Sequence, residues 1–258
     1  MSNSWLLRFV PRHSPRMRLF CFTHAGASAG VFRPWCQDLP ESIELVAIQL
    51  PGRANRLNEA PLRRMADLVA GVVQSLGGQL GLPYAFFGHS MGAVLASEVA
   101  RRLRDMGERA PVHLFVSGRR PPHWPNPDPL LHVLDDAGFV SEVQRRYGGI
   151  PPEVAVHEDL MALLLPALRA DIEALETHLP PLGREPLACP VTVYGGADDP
   201  LTPLDHLHAW REDAGGSFRV RVWPGDHFYL QAQRSPLLAD LADSLLPTLV
   251  GTAREAVG

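Results

Sequence analysis

Residues 84–92 read YAFFGHSMG and place one serine, Ser90, between two glycines, Gly88 and Gly92. The residues before the serine form an apolar run typical of a strand, and the residues after it carry apolar side chains at helical spacing. A tight turn from a strand into a helix needs small flanking residues and thrusts the residue at its tip outward. The pattern therefore favours a strand, a turn with a protruding hydroxyl, and a helix, although ordinary turns also use serine beside glycine.

Five further apolar runs predict strands that accompany residues 84–88. They cover residues 17–23, 44–50, 112–118, 189–196 and 218–225. Most are nearly continuous in hydrophobicity, as in strands covered on both faces, and helix-like segments separate several of them. Residues 61–76 form one such segment, with Pro61 suited to the first helical turn. The sequence predicts an α/β fold, a mostly parallel central sheet flanked by helices, as a single domain over residues 1–258.

The composition excludes several kinds of function. All 24 basic residues are arginines, so neither a lysine Schiff base nor a phosphate loop with a lysine is possible. The formal net charge of −4 disfavours nucleic-acid binding, which depends on clustered cations. The three cysteines form no disulfide or zinc pattern, and His206 and His208 have a spacing that points them to different helix faces. We expect no metal site.

Nothing in the sequence predicts export or membrane insertion. Arginines and prolines interrupt residues 1–20 before any apolar run reaches the length of a signal peptide. No run approaches the roughly 20 apolar residues that a membrane-spanning helix needs. The widely separated cysteines fit a reducing compartment. We therefore expect a soluble, cytoplasmic protein.

The segment between the predicted strands at 112–118 and 189–196 lacks a convincing strand pattern. A proline-rich stretch at 121–129 is followed by helical patterns at 130–149 and 158–179. We expect residues 120–182 to form a helical lid inserted within the domain. Pro166 should kink or divide the second helix. The leucines around it either roof a binding site for acyl chains or pack between the lid helices.

Three residues in separate loops form a candidate set for nucleophilic catalysis. A serine hydroxyl needs a base to take its proton and a third group to orient that base. His227 lies in a loop after the last predicted strand, and Asp199 follows another strand, so that the chain order is serine, acid, histidine. Asp198 is the alternative acid, although Asp199 fits the loop spacing better. Acyl transfer also needs donors for the developing oxyanion, for which the backbone N–H groups of Ala25 and Met91 are candidates.

The whole chain resembles a stand-alone type II thioesterase of the α/β-hydrolase superfamily, the editing enzymes of polyketide and non-ribosomal peptide synthases. The resemblance rests on CFTHAGASAG, QLPGRANRLNE, GHSMGA, the lid phrases YGGIPPEV and LLPALRADIEALE, and finally YGGADDP and GDHFYL. The family implies a triad of Ser90, Asp199 and His227 with Ala25 and Met91 as oxyanion donors. It also implies acyl or peptidyl carrier protein domains as partners and acyl thioesters as substrates. No cofactor of its own is expected, because the partner carries the phosphopantetheine.

Docking of an acidic carrier protein would favour a rim of arginines, for which Arg119, Arg120, Arg145 and Arg146 are candidates. Solvated surface charge is the simpler interpretation of each. Two other functions use the same residues or fold. A carboxylesterase or lipase acting on small esters would share the triad, and a non-catalytic carrier-binding module would share the fold but need not keep the triad.

Overall fold

One sheet organises the molecule. The computed structural model describes residues 4–124, 128–150, 154, 156–181 and 183–255, with side chains up to residue 249. Among these residues, seven strands form the sheet in the order β1-β3-β2-β4-β5-β6-β7, and every neighbouring pair is parallel except β1 with β3. The strands are β1 Leu6–Leu7, β2 Met17–Phe22, β3 Ile43–Ile48, β4 Tyr84–His89, β5 His113–Ser117, β6 Val191–Gly196 and β7 Phe218–Trp223.

Helices cover both faces of this sheet. In the described part of the chain they are α1 Trp35–Asp38, α2 Met65–Leu76, α3 Met91–Asp105, α4 Asp136–Tyr147, α5 Glu158–Glu176, α6 Leu204–His208 and α7 Arg234–Glu255. Side chains alternate along each strand, so Phe86 packs in a core with α2 and α3 while its neighbour Phe87 packs in a second core with α1 and α7. Burying one such side chain contributes roughly 1.5–3 kcal/mol. Two cores on one sheet explain why most of the strands are continuously apolar.

The predicted fold class is confirmed, and all six predicted strands are present with ends shifted by no more than a few residues. Strand β1 was not predicted, because two residues carry no readable alternation. The predicted helix at 61–76 was wrong at its start. The helix begins at Met65, because Arg64 is extended, with φ −125° and ψ 135°. Pro61 instead packs against Gly52, whose φ of +81° favours glycine.

Helices α4 and α5 lie in the segment predicted to form a lid, whose bounds of 120–182 stay a prediction. Between them lies a small core of their own, formed by buried residues that include Phe139, Val143 and Ile172. The side chain of Asp135 accepts a hydrogen bond from the Gly138 N–H and caps the start of α4. Pro166 does not divide α5, which continues through it. None of the helices in the described residues is both long and apolar enough to cross a membrane.

Candidate active site

Ser90 lies at a strained turn between β4 and α3. Its φ of +53° and ψ of −117° are rare for a residue with a side chain. The turn is held by the backbone, since the Ser90 N–H donates to the Ser117 carbonyl oxygen at 2.8 Å. Its hydroxyl makes no capping hydrogen bond to α3. The partial positive charge of the N-terminus of α3 therefore lies beside this hydroxyl, an arrangement that favours developing negative charge.

The two flanking glycines are required by space. A Cβ atom on Gly88 would overlap the carbonyl oxygen of Gly92, and a Cβ atom on Gly92 would overlap the carbonyl oxygen of Phe22. In both cases the obstacle is backbone, which cannot rotate away as a side chain does. The sequence pattern G-x-S-x-G thus reflects the close approach of α3 to strands β2 and β4 at this turn.

His227 and Asp199 are joined by a buried hydrogen bond between Nδ1 and Oδ2 at 2.8 Å. The Asp199 carboxylate also accepts from the Thr202 hydroxyl at 2.7 Å and from the Leu201 N–H at 2.9 Å. Burial alone would raise the pKa of Asp199, but hydrogen bonds from His227, Thr202 and Leu201 outweigh it and lower that pKa below its usual value. An ionised acid therefore faces Nδ1 and fixes the orientation of the imidazole ring.

The structure separates the two adjacent aspartates. Asp198 is exposed, and its backbone N–H donates to the Gly225 carbonyl oxygen, whereas the side chain of Asp199 is fully buried. Only the second therefore contacts His227, which fits the loop spacing by which the sequence favoured Asp199. Its catalytic role stays a prediction.

Ser90 and His227 line the same cavity of about 940 Å³. The Nε2 atom of His227 is buried and makes no hydrogen bond with the described residues, Ser90 included. This nitrogen is therefore available to a hydroxyl that approaches it, and such contacts often tighten only when substrate is bound. Part of the lining of this cavity comes from α4 and α5. It includes Leu160, Leu163, Leu164 and Leu168, among the leucines expected to roof a site.

A family model described as a thioesterase domain matches residues 17–245, which include Ser90, Asp199 and His227. The chain belongs to the thioesterase family.

Individual relatives agree with this assignment. Gramicidin S biosynthesis protein GrsT of Aneurinibacillus migulanus is 37% identical over 243 residues, which are 94% of each chain. The solved RedJ thioesterase from the prodiginine pathway of Streptomyces coelicolor has a TM-score of 0.82 at 40% identity, covering 92% of this chain and 90% of that one. The type II thioesterase BorB from the borrelidin cluster has a TM-score of 0.84 at 33% identity, covering 95% and 97%. This thioesterase is a thioester hydrolase of the type II class with the α/β-hydrolase fold.

Two histidines that the sequence did not single out lie beside His227 in the thioesterase. The centroid of the His89 ring lies 5.0 Å from the centroid of the His227 ring and 5.8 Å from that of the His24 ring. Burial, with smaller contributions from His227 and Arg53, lowers the pKa of His24 to about 4. Burial also holds the pKa of His89 far below its usual value, and its Nδ1 contacts the Ser117 hydroxyl at 2.9 Å. Both rings are neutral near pH 7 and add no positive charge beside His227.

The loop that carries Ala25 is tied to distant parts of the thioesterase. Ala25 itself lines the cavity, and Met91 is the first residue of α3. The next N–H, that of Gly26, donates to the Asp171 carboxylate at 2.7 Å, and Arg53 pairs with the same carboxylate. Sequence reasoning recognised the segment containing Arg53 only as a family phrase and missed its contact, because 118 residues separate the two partners. Among the described residues, no cluster of three metal-ligating side chains is present.

Proposed function

We propose that this thioesterase hydrolyses acyl thioesters on the phosphopantetheine arm of acyl or peptidyl carrier protein domains, and so removes aberrant or stalled acyl groups. The proposal is supported most directly by the His227–Asp199 hydrogen bond beside a strained Ser90 in an apolar cavity. The relatives add a context, because GrsT is named for gramicidin S biosynthesis and RedJ for the prodiginine pathway.

The first half of the proposed reaction forms an acyl-enzyme. Nε2 of His227 takes the proton of the Ser90 hydroxyl as Oγ attacks the thioester carbonyl carbon. Asp199 accepts the Nδ1–H and stabilises the imidazolium that results. The N–H groups of Ala25 and Met91 donate hydrogen bonds to the negatively charged carbonyl oxygen. In such an arrangement one donor typically raises kcat by a factor of about 10²–10³. The C–S bond then breaks, and the imidazolium returns the proton to the pantetheine sulfur.

The second half releases the acid. A water molecule attacks the acyl carbon while His227 takes its proton, the same two N–H groups hold the oxyanion, and the C–Oγ bond breaks as Ser90 regains its proton. Every step uses groups of this chain and its substrate, so no metal ion or cofactor of its own enters the proposal. The partner supplies the phosphopantetheine. We place the enzyme in the cytoplasm, where its three buried free cysteines remain thiols.

Of the arginines considered for carrier docking, Arg119 is the best placed. It lines a small pocket beside His227 and is partly exposed. Arg120 and Arg146 are largely buried, and Arg145 is exposed but paired with Glu142. We therefore assign docking to Arg119. Arg119→Glu should raise KM for acyl-carrier substrate about three- to tenfold and leave KM for a small thioester unchanged. An equal effect on both substrates would contradict docking there.

Mass spectrometry of a carrier protein loaded with several acyl groups tests the function. Loss of acyl mass with wild-type enzyme, and a loss at least about 10⁴-fold slower with Ser90→Ala, are expected. Ser97→Ala is the matched control, because Ser97 lies in α3, the helix that follows Ser90, and among the described residues its hydroxyl bonds to the Val94 carbonyl oxygen. Undiminished hydrolysis by Ser90→Ala would reject the nucleophile. Faster turnover of a matched oxygen ester than of the thioester would favour a carboxylesterase, and binding without turnover would favour a carrier-binding module.

A further inference from the structure

Helix α5 is clamped onto the loop of the proposed oxyanion donor. Three residues on one face of the helix, Leu164, Leu168 and Asp171, meet Gly26. Gly26 has a φ of +75°, and a Cβ atom there would come within 2.9 Å of Leu168 Cδ1. The Asp171 carboxylate accepts the Gly26 N–H at 2.7 Å. The helix therefore holds this peptide by both close packing and a charge-assisted hydrogen bond.

Arg53 completes the clamp by pairing with Asp171. Its two terminal nitrogens bond the two Asp171 oxygens at 2.5 and 2.8 Å, and the side chains of Arg53 and Asp171 are only 6% and 0% exposed. Arg53 also donates to the Ala27 and Pro51 carbonyl oxygens. One buried ion pair thus connects three separate segments: the 51–53 turn, the loop that carries Ala25, and α5.

This arrangement has two electrostatic consequences for catalysis. A buried carboxylate near a developing oxyanion would oppose it, and the Arg53 guanidinium compensates that charge. The Gly26 N–H is committed to Asp171, so it does not compete with Ala25 for the oxyanion. Only the two backbone torsions of Ala25 separate the fixed Gly26 nitrogen from the Ala25 nitrogen, which restricts the direction of the Ala25 N–H.

We propose that Arg53 and Asp171 are positioning residues, which hold the Ala25–Gly26 peptide so that the Ala25 N–H meets the oxyanion. The proposal rests on the proposed function, because it assumes that Ala25 is an oxyanion donor. It goes further in assigning a part of the catalytic geometry to an ion pair between a turn and the helical cover.

Two double variants separate positioning from stability. R53M/D171L replaces the ion pair by apolar side chains and removes the acceptor for the Gly26 N–H, whereas R53M/D171N removes both charges and keeps an acceptor oxygen. R101M/D213L is the matched control, because Arg101 and Asp213 also form a buried ion pair, at 5% and 4% exposure. Each protein is assayed for kcat and KM with a decanoyl N-acetylcysteamine thioester and for Tm.

We expect kcat of R53M/D171L to fall about 10²-fold with KM within about threefold, as for a misplaced oxyanion donor. R53M/D171N should recover kcat to within about fivefold of wild type, and R101M/D213L should change Tm with kcat within about twofold. Wild-type kcat in R53M/D171L would overturn the proposal. Equal losses in both Arg53 variants would overturn it too, because the acceptor would then be irrelevant.

Two further measurements keep the test decisive. If R53M/D171L does not fold, Asp171→Glu keeps the charge but displaces the carboxylate by one methylene, so kcat should fall about tenfold, and a wild-type kcat would overturn the proposal. Ser90→Ala distinguishes the two levels of failure. Undiminished hydrolysis by Ser90→Ala would refute the proposed function itself. An inactive Ser90→Ala beside a fully active R53M/D171L would refute only the role of the ion pair.

Discussion

The strand-end rim and the helical cover line one cavity but are built differently. The strand-end rim consists of the loops at the carboxyl ends of β4, β6 and β7 that carry Ser90, Asp199 and His227, all at most 5% exposed. The helical cover consists of α4 and α5, where Leu160 and Leu163 remain 45% and 51% exposed. Backbone hydrogen bonds and strand order fix the rim, whereas side-chain packing and one buried ion pair hold the cover. Precise positions for chemistry therefore come from the sheet, and an adaptable apolar surface comes from the helices.

The largest expected effect lies in the rim. Asp199→Asn should lower kcat by about 10³–10⁴-fold, because an amide neither stabilises the imidazolium nor enforces the tautomer of His227. Asp198→Asn, one residue away and exposed, should stay within about twofold. Steady-state kinetics with a small acyl thioester measure both. Comparable losses in the two variants would mean that the hydrogen bond of Asp199 to His227 has no special role.

A methyl group added at a glycine should destabilise the protein more next to the rim than in the cover. Gly88→Ala should destabilise the protein by more than about 3 kcal/mol, because its Cβ would overlap the backbone of Gly92. Gly148 caps the end of α4 at φ +62°, and no atom lies within 4 Å of the position that a Cβ would take there. Gly148→Ala should therefore lower the free energy of unfolding by only about 1–2 kcal/mol. Urea denaturation of the two variants gives the difference. A Gly88→Ala protein no less stable than Gly148→Ala would show that the turn relaxes easily.

Acid should also affect the two sides of the cavity differently, because His24, in the loop after β2 and next to the rim, has a lowered pKa. The pKa of His24 is about 4 in the folded protein and near 6.5 when unfolded, so between these values only the unfolded state binds its proton. Stability is therefore lost as pH falls from 6.5 towards 4, by about 2 kcal/mol for this residue between pH 7 and pH 5. In the cover, hydrogen bonds from Arg145 lower the pKa of Glu142 to about 2, so that carboxylate does not titrate in this interval.

Urea denaturation of wild type and His24→Asn at pH 7 and pH 5 checks this assignment. The variant should lose about 2 kcal/mol less than wild type between the two pH values, because asparagine binds no proton. Glu142→Gln in the cover is the control and should lose as much as wild type. An unchanged pH dependence in His24→Asn would show that His24 is not neutral in the folded protein.

The smallest expected effect lies in the cover and concerns substrate length. Leu163 lines the cavity, so Leu163→Ser should raise KM for a decanoyl thioester about three- to tenfold while an acetyl thioester is unaffected. Leu179→Ser is the control and should leave both KM values unchanged, because Leu179 is 88% exposed and lies outside the lining of the cavity. Equal KM changes for both chain lengths would assign Leu163 to packing between the helices of the cover, the alternative that the sequence left open.

Local patterns predicted the framework of this protein well because local physics determines it. Continuous apolar runs predicted most of the parallel strands, since a strand covered by helices on both faces has no polar side. The spacing of Gly88, Ser90 and Gly92 predicted the turn, because only glycine tolerates backbone on both sides. The start of α2 was predicted too early because Pro61 is equally suited to a first helical turn and to the contact that it makes with Gly52.

The sequence by itself determined the α/β fold, the order of serine, acid and histidine, and the apolar character of the cover. Only the tertiary structure decided that Asp199 rather than Asp198 reaches His227, since adjacent residues of a loop point in different directions. It alone brought His24 and His89 beside His227, and joined Arg53 to Asp171 on the loop of Ala25. The physical reason is the same in each case. Periodicity and spacing report contacts within a few residues, whereas these contacts form between segments that meet only after the sheet has assembled.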